Sequence, residues 1–250
     1  MHAHPVPEER RDIHVLHQIG QRIAAADPLN AVLKLVAQLV SSVVKCDSCF
    51  IYVLDGHDLV LRASQKPHAD VVNRLTLRMG QGITGWVAEH KQPVAISNNA
   101  SLDPRFQAFH ELPEDCYEAF LSVPILCRDK LVGVLNAQHR EPYAHEQREI
   151  HLIATIGFLV GPEIESVRTE TESAKLSELA EARQLVERAK QVLRRLLNVS
   201  EEEAHVVLSH EGRERRKSMK EIAEAILLSD EIVNKQTKPH GLPPETEPGK

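Results

Sequence analysis

From Leu179 to Val233 the chain holds no Phe, Tyr or Trp and carries one four-residue signature twice, Ser200-Glu-Glu-Glu203 and Ser218-Met-Lys-Glu221. A Ser three residues before a Glu can accept from the third helical amide while the Glu carboxylate returns to the Ser amide, so two orphan donors are satisfied locally. Two helices are therefore expected to start at these points, and the segment reads as three short helices at the end of a longer one. Between Arg183 and Lys220 ten Lys and Arg stand against six Glu, in a chain whose formal net charge is −6. A basic segment inside an acidic protein points to a polyanionic partner.

The runs that carry this pattern are Ala182-Arg-Gln-Leu-Val-Glu-Arg-Ala-Lys-Gln-Val-Leu-Arg-Arg195, Ser200-Glu-Glu-Glu-Ala204 and Arg216-Lys-Ser-Met-Lys-Glu-Ile-Ala-Glu-Ala-Ile226. They resemble an ANTAR domain, a three-helix RNA-binding module of bacterial transcription antitermination. Two positions depart from the family: Gln191 stands where a Gly is usual, and His205 where an aromatic is usual. The resemblance implies RNA hairpins as the partner, in the context of RNA polymerase. Lys190 and Arg194 lie four apart on one helical face, and Arg213, Arg216, Lys217 and Lys220 crowd the turn before the last helix, so these six are the candidate phosphate contacts. Arg188, Arg195 and Arg215 read as a solvated face. Without rings the module cannot stack bases as sheet-based RNA binders do, so it is expected to read hairpin shape, with His205 the nearby ring able to stack.

At 250 residues there is room for one ordinary domain and a small one. No run reaches the roughly 18 to 20 apolar residues of a membrane span, and Met1-His-Ala-His-Pro5 lacks an apolar signal region, which leads us to expect a cytoplasmic protein. Four cysteines, Cys46, Cys49, Cys116 and Cys127, are too few to staple the chain and fit a reducing compartment. Cys46-Asp-Ser-Cys49 has C-x-x-C spacing but no second pair downstream, so buried thiols are expected there, with no metal.

Upstream, residues 13–25 and 30–44 show helical periodicity, split at Asp27-Pro28. Phe50-Ile-Tyr-Val-Leu54 and Leu59-Val-Leu-Arg-Ala63 flank a turn at Gly56 and predict a hairpin, and residues 75–79, 94–97, 120–126 and 131–138 predict four more strands. A helix beginning near His145 follows. Helices around a six-stranded, largely antiparallel sheet make an α+β class. The segments Met79-Gly-Gln-Gly-Ile-Thr-Gly-Trp-Val-Ala88, Asp103-Pro-Arg-Phe106, Ser122-Val-Pro-Ile125 and Leu131-Val-Gly-Val-Leu-Asn-Ala137, in this order over residues 15–168, are similar to a GAF domain, a small-molecule sensing fold.

Gly80-Gln-Gly-Ile-Thr-Gly85 matches a dinucleotide-binding fingerprint by letter, but its helix is closed by Lys91-Gln-Pro93, too short for a crossover, so a tight turn placing Trp86 and Val87 on the sheet is expected. The polar, Pro-interrupted stretch 98–117 is where a ligand lid would lie. Asn98, Asn99, Arg105 and Asn136 are the candidate ligand contacts for an unidentified small-molecule effector, while Arg105 pairing with a local acid is the structural alternative. GAF domains that bind cyclic nucleotides carry an Asn-Lys…Phe-Asp-Glu set, whereas Asn136 lacks the Lys and Tyr143-Ala-His-Glu146 replaces the rest. A bilin on Cys116, or a haem on His139 or His110, stays open.

Past Gly161-Pro162 helix-forming residues run to Leu197. Ile164, Val167, Thr171 and Ala174, and then Leu179, Ala182, Val186, Ala189, Leu193 and Leu196, keep coiled-coil spacing with a slip of one residue between the two stretches. A parallel homodimer through this connector is expected, with Val167, Leu179, Val186 and Leu193 facing the partner. The boundaries read as a flexible 1–12, a sensor at 13–168, a connecting helix or coiled coil at 160–182, an all-α three-helix domain at 179–233 and a disordered tail at 235–250. The function expected is a signal-responsive, non-enzymatic RNA-binding regulator. Alternatives are a DNA-binding regulator and, further off, a redox enzyme acting through Cys116 and Cys127.

Overall fold

The computed structural model describes residues 8–65, 71–107 and 117–236. The expected tail and most of the expected flexible N-terminus lie outside these, as do His110 and Cys116. The chain divides at Thr169/Glu170 into two compact units.

The first unit opens with two helices, α1 (Glu8–Ala24) and α2 (Leu29–Val44), broken at Asp27-Pro28 as expected. Six strands follow: β1 (Ser48–Asp55), β2 (Asp58–Gln65), β3 (Thr76–Arg78), β4 (Val94–Ile96), β5 (Ala119–Cys127) and β6 (Lys130–His139). The short helix α3 (Gly82–His90) sits between β3 and β4. Every pairing is antiparallel and the sheet order is β3-β2-β1-β6-β5-β4. The central strands read as unbroken apolar runs because both faces are covered. Pro124 is tolerated in β5 because β4 pairs only with residues 120–122, leaving that edge of β5 open at the proline.

One face of the sheet packs on α1, α2 and the start of α4 (Gln147–Leu197), around Ile19, Val36, Ile51, Leu135, Ile153, Ile156 and Val160. The other packs on α3, around Phe50, Tyr52, Leu61, Val87 and Val134. The fit of α4 is close: a β-carbon on Gly161 would stand 2.3 Å from the Leu126 carbonyl oxygen, so only glycine serves there. Pro162 next to it does not break the helix. It is exposed, as is Phe158 one turn earlier, so the ring lies on the solvent side of the helix, where a lost hydrogen bond costs least.

The Gly80 to Gly85 segment is a turn, as expected. Gly80 and Gly82 hold φ of +81° and +67°, and the Gly80 and Gly85 amides are spent on the Gly85 and Gln81 carbonyls, which leaves neither for a phosphate. The turn delivers Val87 into the core, while Trp86 is sandwiched between the His90 ring, 4.1 Å away, and the Arg105 guanidinium, 4.8 Å away. Cys49 is fully buried and Cys46 partly so; burial raises the pKa of both thiols, which makes them poor nucleophiles.

Where β6 passes into α4 a ring cluster forms. His139 stacks on Tyr143 at 4.1 Å, and His145 lies against both at 5.0 Å with its side chain fully covered. The Tyr143 hydroxyl donates to Glu149, whose other oxygen accepts from the Glu146 amide at the start of α4. Neither ring nitrogen of His145 has a hydrogen-bond partner. Burial, followed by the neighbouring His139, lowers the His145 pKa from 6.5 to about 4. The depressed value means that neutral His145 contributes full stability above pH 6.5, and that this is lost as pH falls from 6.5 towards 4, where the unfolded chain binds the extra proton. The urea midpoint is expected to drop over that interval, and His145→Phe to flatten the drop; parallel pH profiles for the two proteins would contradict this.

Candidate nucleic-acid interface and sensor face

The second unit is built on the end of α4 with α5 (Glu201–Arg215) and α6 (Met219–Gln236). Its core is small: Ala189, Leu193, Ala204, Leu208, Ile222 and Ala223. Alanine on all three helices lets them approach closely, which a set of rings would prevent. Both Ser-x-x-Glu boxes form. The Ser200 hydroxyl accepts from the Glu203 amide at 3.2 Å while the Ser200 amide donates to Glu203 at 2.8 Å, and Ser218 and Glu221 repeat this at 3.2 and 2.9 Å. Hydrogen bonds from Lys217 and then from Ser218 hold the Glu221 carboxyl down at a pKa of about 2.

This core corrects one expectation about the connector. Leu193, expected to face a partner chain, is 8% exposed inside its own unit, and Val186 packs against the same cluster. The apolar positions left open lie earlier. Residues 169–181 of α4 are all exposed, including Leu176 at 68% and Leu179 at 60%.

The six candidate phosphate contacts separate into two groups. Lys190 and Arg194 stand at the N-terminal end of α5, where Lys190 donates to Glu201 at 3.0 Å and pairs with Glu187 at 2.8 Å. Arg213, Arg216, Lys217 and Lys220 stand at its C-terminal end, about 20 Å away along a 15-residue helix. Lys190 is the correction here. It is 8% exposed and held by two carboxylates, which raise its pKa, so it ties α4 to α5 and is not offered to a phosphate. Lys217 is bound to Glu221 at 2.6 Å, and Arg194 reaches Glu201 only at 3.9 Å. Arg213 and Arg216 are exposed, Lys220 is half-buried, and none of the three has an ion pair among the described residues. Arg216 closes α5 in the left-handed conformation, φ +53°. Arg195 and Arg215 pair with Asp230 and Glu211, and His205 is exposed.

In the first unit the four candidate ligand contacts are scattered. Asn98 and Asn99 are exposed, Asn99 with φ +48° and its amide bonded to Glu118. Arg105 makes a two-pronged pair with Asp103 at 2.8 Å through both Nε and Nη2, which raises its pKa, and it lies over Trp86, so the structural alternative describes its geometry. Asn136 is buried on the α3 side, accepting from Ser122 at 2.7 Å and donating to Thr84 at 2.8 Å. Sequence reasoning missed its neighbours. Ser48 and Gln138 are cross-strand partners beside Phe50, and Ser64 is opposite Phe50, so all three share the α3 side of the sheet. Ser48 is fully buried and Gln138 is 6% exposed, yet Ser48 Oγ, Ser64 Oγ and Gln138 Oε1 have no hydrogen-bond partner. Buried polar atoms without partners are rare and costly. No group of three His, Cys, Asp or Glu able to hold a metal occurs among the described residues.

Residues 28–164 match the GAF domain family, and residues 174–227 match the ANTAR domain family. The chain belongs to the GAF domain family. Its C-terminal unit is an ANTAR domain, and the pair is the architecture of an RNA-binding antitermination regulator with a GAF sensor domain. The GAF unit is similar to the GAF domain of a phosphoenolpyruvate-protein phosphotransferase from Coxiella burnetii, with TM-score 0.61 and 28% identity over 67% of this chain and 99% of that one. The GAF domain of the Acinetobacter phosphoenolpyruvate-protein phosphotransferase follows, with TM-score 0.58 and 24% identity over 63% and 94%. A free methionine-R-sulfoxide reductase from Neisseria meningitidis shares the fold, with TM-score 0.56 and 17% identity over 68% and 98%. A curated relative, the phosphoenolpyruvate-dependent phosphotransferase system of Escherichia coli strain K12, is 29% identical over 147 residues. That match takes in 56% of this chain and only 19% of the relative. The likeness is thus confined to a GAF-sized segment of a much longer protein.

Because Lys190 links α4 to Glu201 on α5, Lys190→Met is expected to lower the thermal midpoint of the ANTAR unit by several degrees while leaving the salt dependence of RNA binding unchanged. A lost salt increment with no change in stability would return Lys190 to the phosphate contacts.

Proposed function

We propose that the protein is an effector-responsive antitermination regulator of the cytoplasm, in which the GAF unit binds a small molecule and the ANTAR unit grips a hairpin in nascent RNA as polymerase approaches a terminator. The observation that carries this reading is the ANTAR match over a three-helix unit without Phe, Tyr or Trp, in which Arg213, Arg216 and Lys220 stand unpaired among the described residues around the α5–α6 turn. Arg213, Arg216 and Lys220 contact phosphate there, with Lys217 shared between phosphate and Glu221, and Arg194 adds a contact at the other end of α5. Spacing of about 20 Å between the two groups suits phosphates on either side of a paired stem better than one cluster on one strand. Duplex DNA is the poorer fit, because α6 carries Glu221, Glu224, Asp230 and Glu231, which would face phosphates in a major groove.

Each phosphate contact releases counterions, so Arg213→Ala, Arg216→Ala and Lys220→Ala should each flatten the log K against log salt slope for a hairpin RNA by somewhat under about one unit. Arg215→Ala, whose guanidinium is already spent on Glu211, serves as the control. Equal affinity for duplex DNA of the same length, or an unchanged slope in all three variants, would sink the RNA reading.

For the sensor, the effector supplies the missing partners of Ser48, Ser64 and Gln138 on the α3 side of the sheet. The described groups there are hydroxyls and amides around Phe50, which suits an uncharged hydrogen-bonding ligand. Gln138→Leu keeps the volume and removes an unpaired acceptor, so the unliganded protein should be as stable or more stable, by up to about 1 kcal/mol. It should at the same time lose any co-purifying small molecule seen by native mass spectrometry of the parent. A variant destabilised by more than about 2 kcal/mol would show that Gln138 has a structural partner.

The homodimer rests on the exposed stretch 169–181 of α4. A bare helix of this length is marginal in water, and Leu176 and Leu179, three apart, would be covered by the same residues of a second copy. Two ANTAR units so joined would take two hairpins, and linking these would raise apparent affinity without any new contact.

A further inference from the structure

On the helical side of the GAF unit, away from α3, a partly open cavity of about 520 Å³ lies between α1, α2 and the first turn of α4. Arg10, Arg11 and His14 line it from α1, Lys45 from the end of α2, and Arg148 from α4. Val15, Leu39 and Val43 add an aliphatic wall, with Gln18 and Ser42 beside them. Among the described residues no carboxylate belongs to this lining. Asp12, the acid beside it on α1, is fully engaged by Arg148, which donates from Nε at 2.8 Å and from Nη2 at 2.7 Å. Arg22, Arg105, Arg168, Arg195 and Arg215 likewise each hold a carboxylate. Arg10, Arg11 and Lys45 hold none among the described residues. In a protein with 36 acidic and 30 basic side chains, three unmatched cations and one braced guanidinium around a single cavity leave a positive site waiting for an anion.

We propose that this cavity binds a small phosphorylated organic anion of nucleotide size. Its volume falls in the range of small-ligand pockets, several hundred Å³. Guanidinium forks and the Lys45 ammonium match phosphate oxygens, and the N-terminal turn of α4 adds a favourable dipole. Val15, Leu39 and Val43 offer a dry wall to a ring, which inorganic phosphate would not use. The occupant would join α1 and α2 to the head of α4, the helix that continues into the ANTAR unit. This second site lies across the sheet from the unpaired polar groups of the sensor face and does not depend on that reading.

The test is calorimetric titration of the full chain with ATP as the probe, at roughly physiological salt so that diffuse attraction is screened. The expected result is saturable binding of one ATP per chain. Arg11→Glu and Lys45→Glu should each weaken it at least tenfold, the milder Arg11→Gln and Lys45→Gln should weaken it less, and Arg216→Glu should leave it unchanged. Arg11 and Lys45 are exposed, so unliganded variants should keep the parent's thermal midpoint. Three results would overturn the proposal: no saturable binding up to about 1 mM ATP, where the binding free energy falls near −4 kcal/mol; equal affinity in both charge-reversed variants; or loss of binding in Arg216→Glu, which would assign the ATP to the ANTAR cations. A loss of hairpin RNA affinity in Arg11→Glu with ATP binding intact would likewise overturn it.

Discussion

Everything in this chain depends on one helix serving two cores. α4 buries Ile153, Ile156, Val160 and Ile164 against the GAF sheet and, more than twenty residues on, Ala189 and Leu193 in the ANTAR unit. Each fully buried aliphatic side chain contributes about 1.5 to 3 kcal/mol, so both ends of α4 are pinned by the folding of their own unit. The glycine at 161, closed against the Leu126 carbonyl, shows how little slack the first end has. A window of α4 is long and apolar enough to cross a membrane by composition, yet the four GAF-side residues named here are at most 2% exposed within the fold.

Charge is sorted by a similar division of labour. Cations needed to hold helices together are closed off by carboxylates, as Lys190 is by Glu187 and Glu201, or Arg148 by Asp12. What remains unpaired therefore carries the information about partners. In the ANTAR unit Arg213, Arg216 and Lys220 stand unpaired among the described residues around the turn between α5 and α6, and in the GAF unit Arg10, Arg11 and Lys45 do so around the α1–α2 cavity.

The sequence carried the fold well, because its signals were local. The Ser200 and Ser218 boxes, the Gly56 turn and the alternation of apolar runs are each decided within a few residues, and all appear where expected. The β5–β6 turn was harder to read. Arg128 and Asp129 both adopt positive φ there without a glycine, a conformation imposed by the strands they join. Site residues were less legible. Nothing in the spacing of Lys190 shows that Glu201, on another helix, will claim it, and nothing in the composition of Ser48, Ser64 and Gln138 shows that register will gather them beside Phe50 with no partners. Leu193 kept coiled-coil spacing with Leu179, yet the three-helix core took one and left the other. Those outcomes are tertiary, and a periodicity cannot rank two possible burials for the same stripe.

The proposal that a signal passes from the GAF unit to the ANTAR unit needs α4 to stay helical through a stretch whose side chains are all exposed. From residue 169 to residue 181 every side chain of the helix is exposed, and, as proposed here, a second copy lies along Leu176 and Leu179. Amide hydrogen exchange across that stretch, measured on the full chain over a hundredfold range of concentration, tests this most directly. Slow exchange at high concentration that is lost on dilution, while the β5 and β6 amides stay protected, is the predicted result. Fast exchange at every concentration would contradict it, because a connector that unwinds freely cannot transmit a signal between its ends.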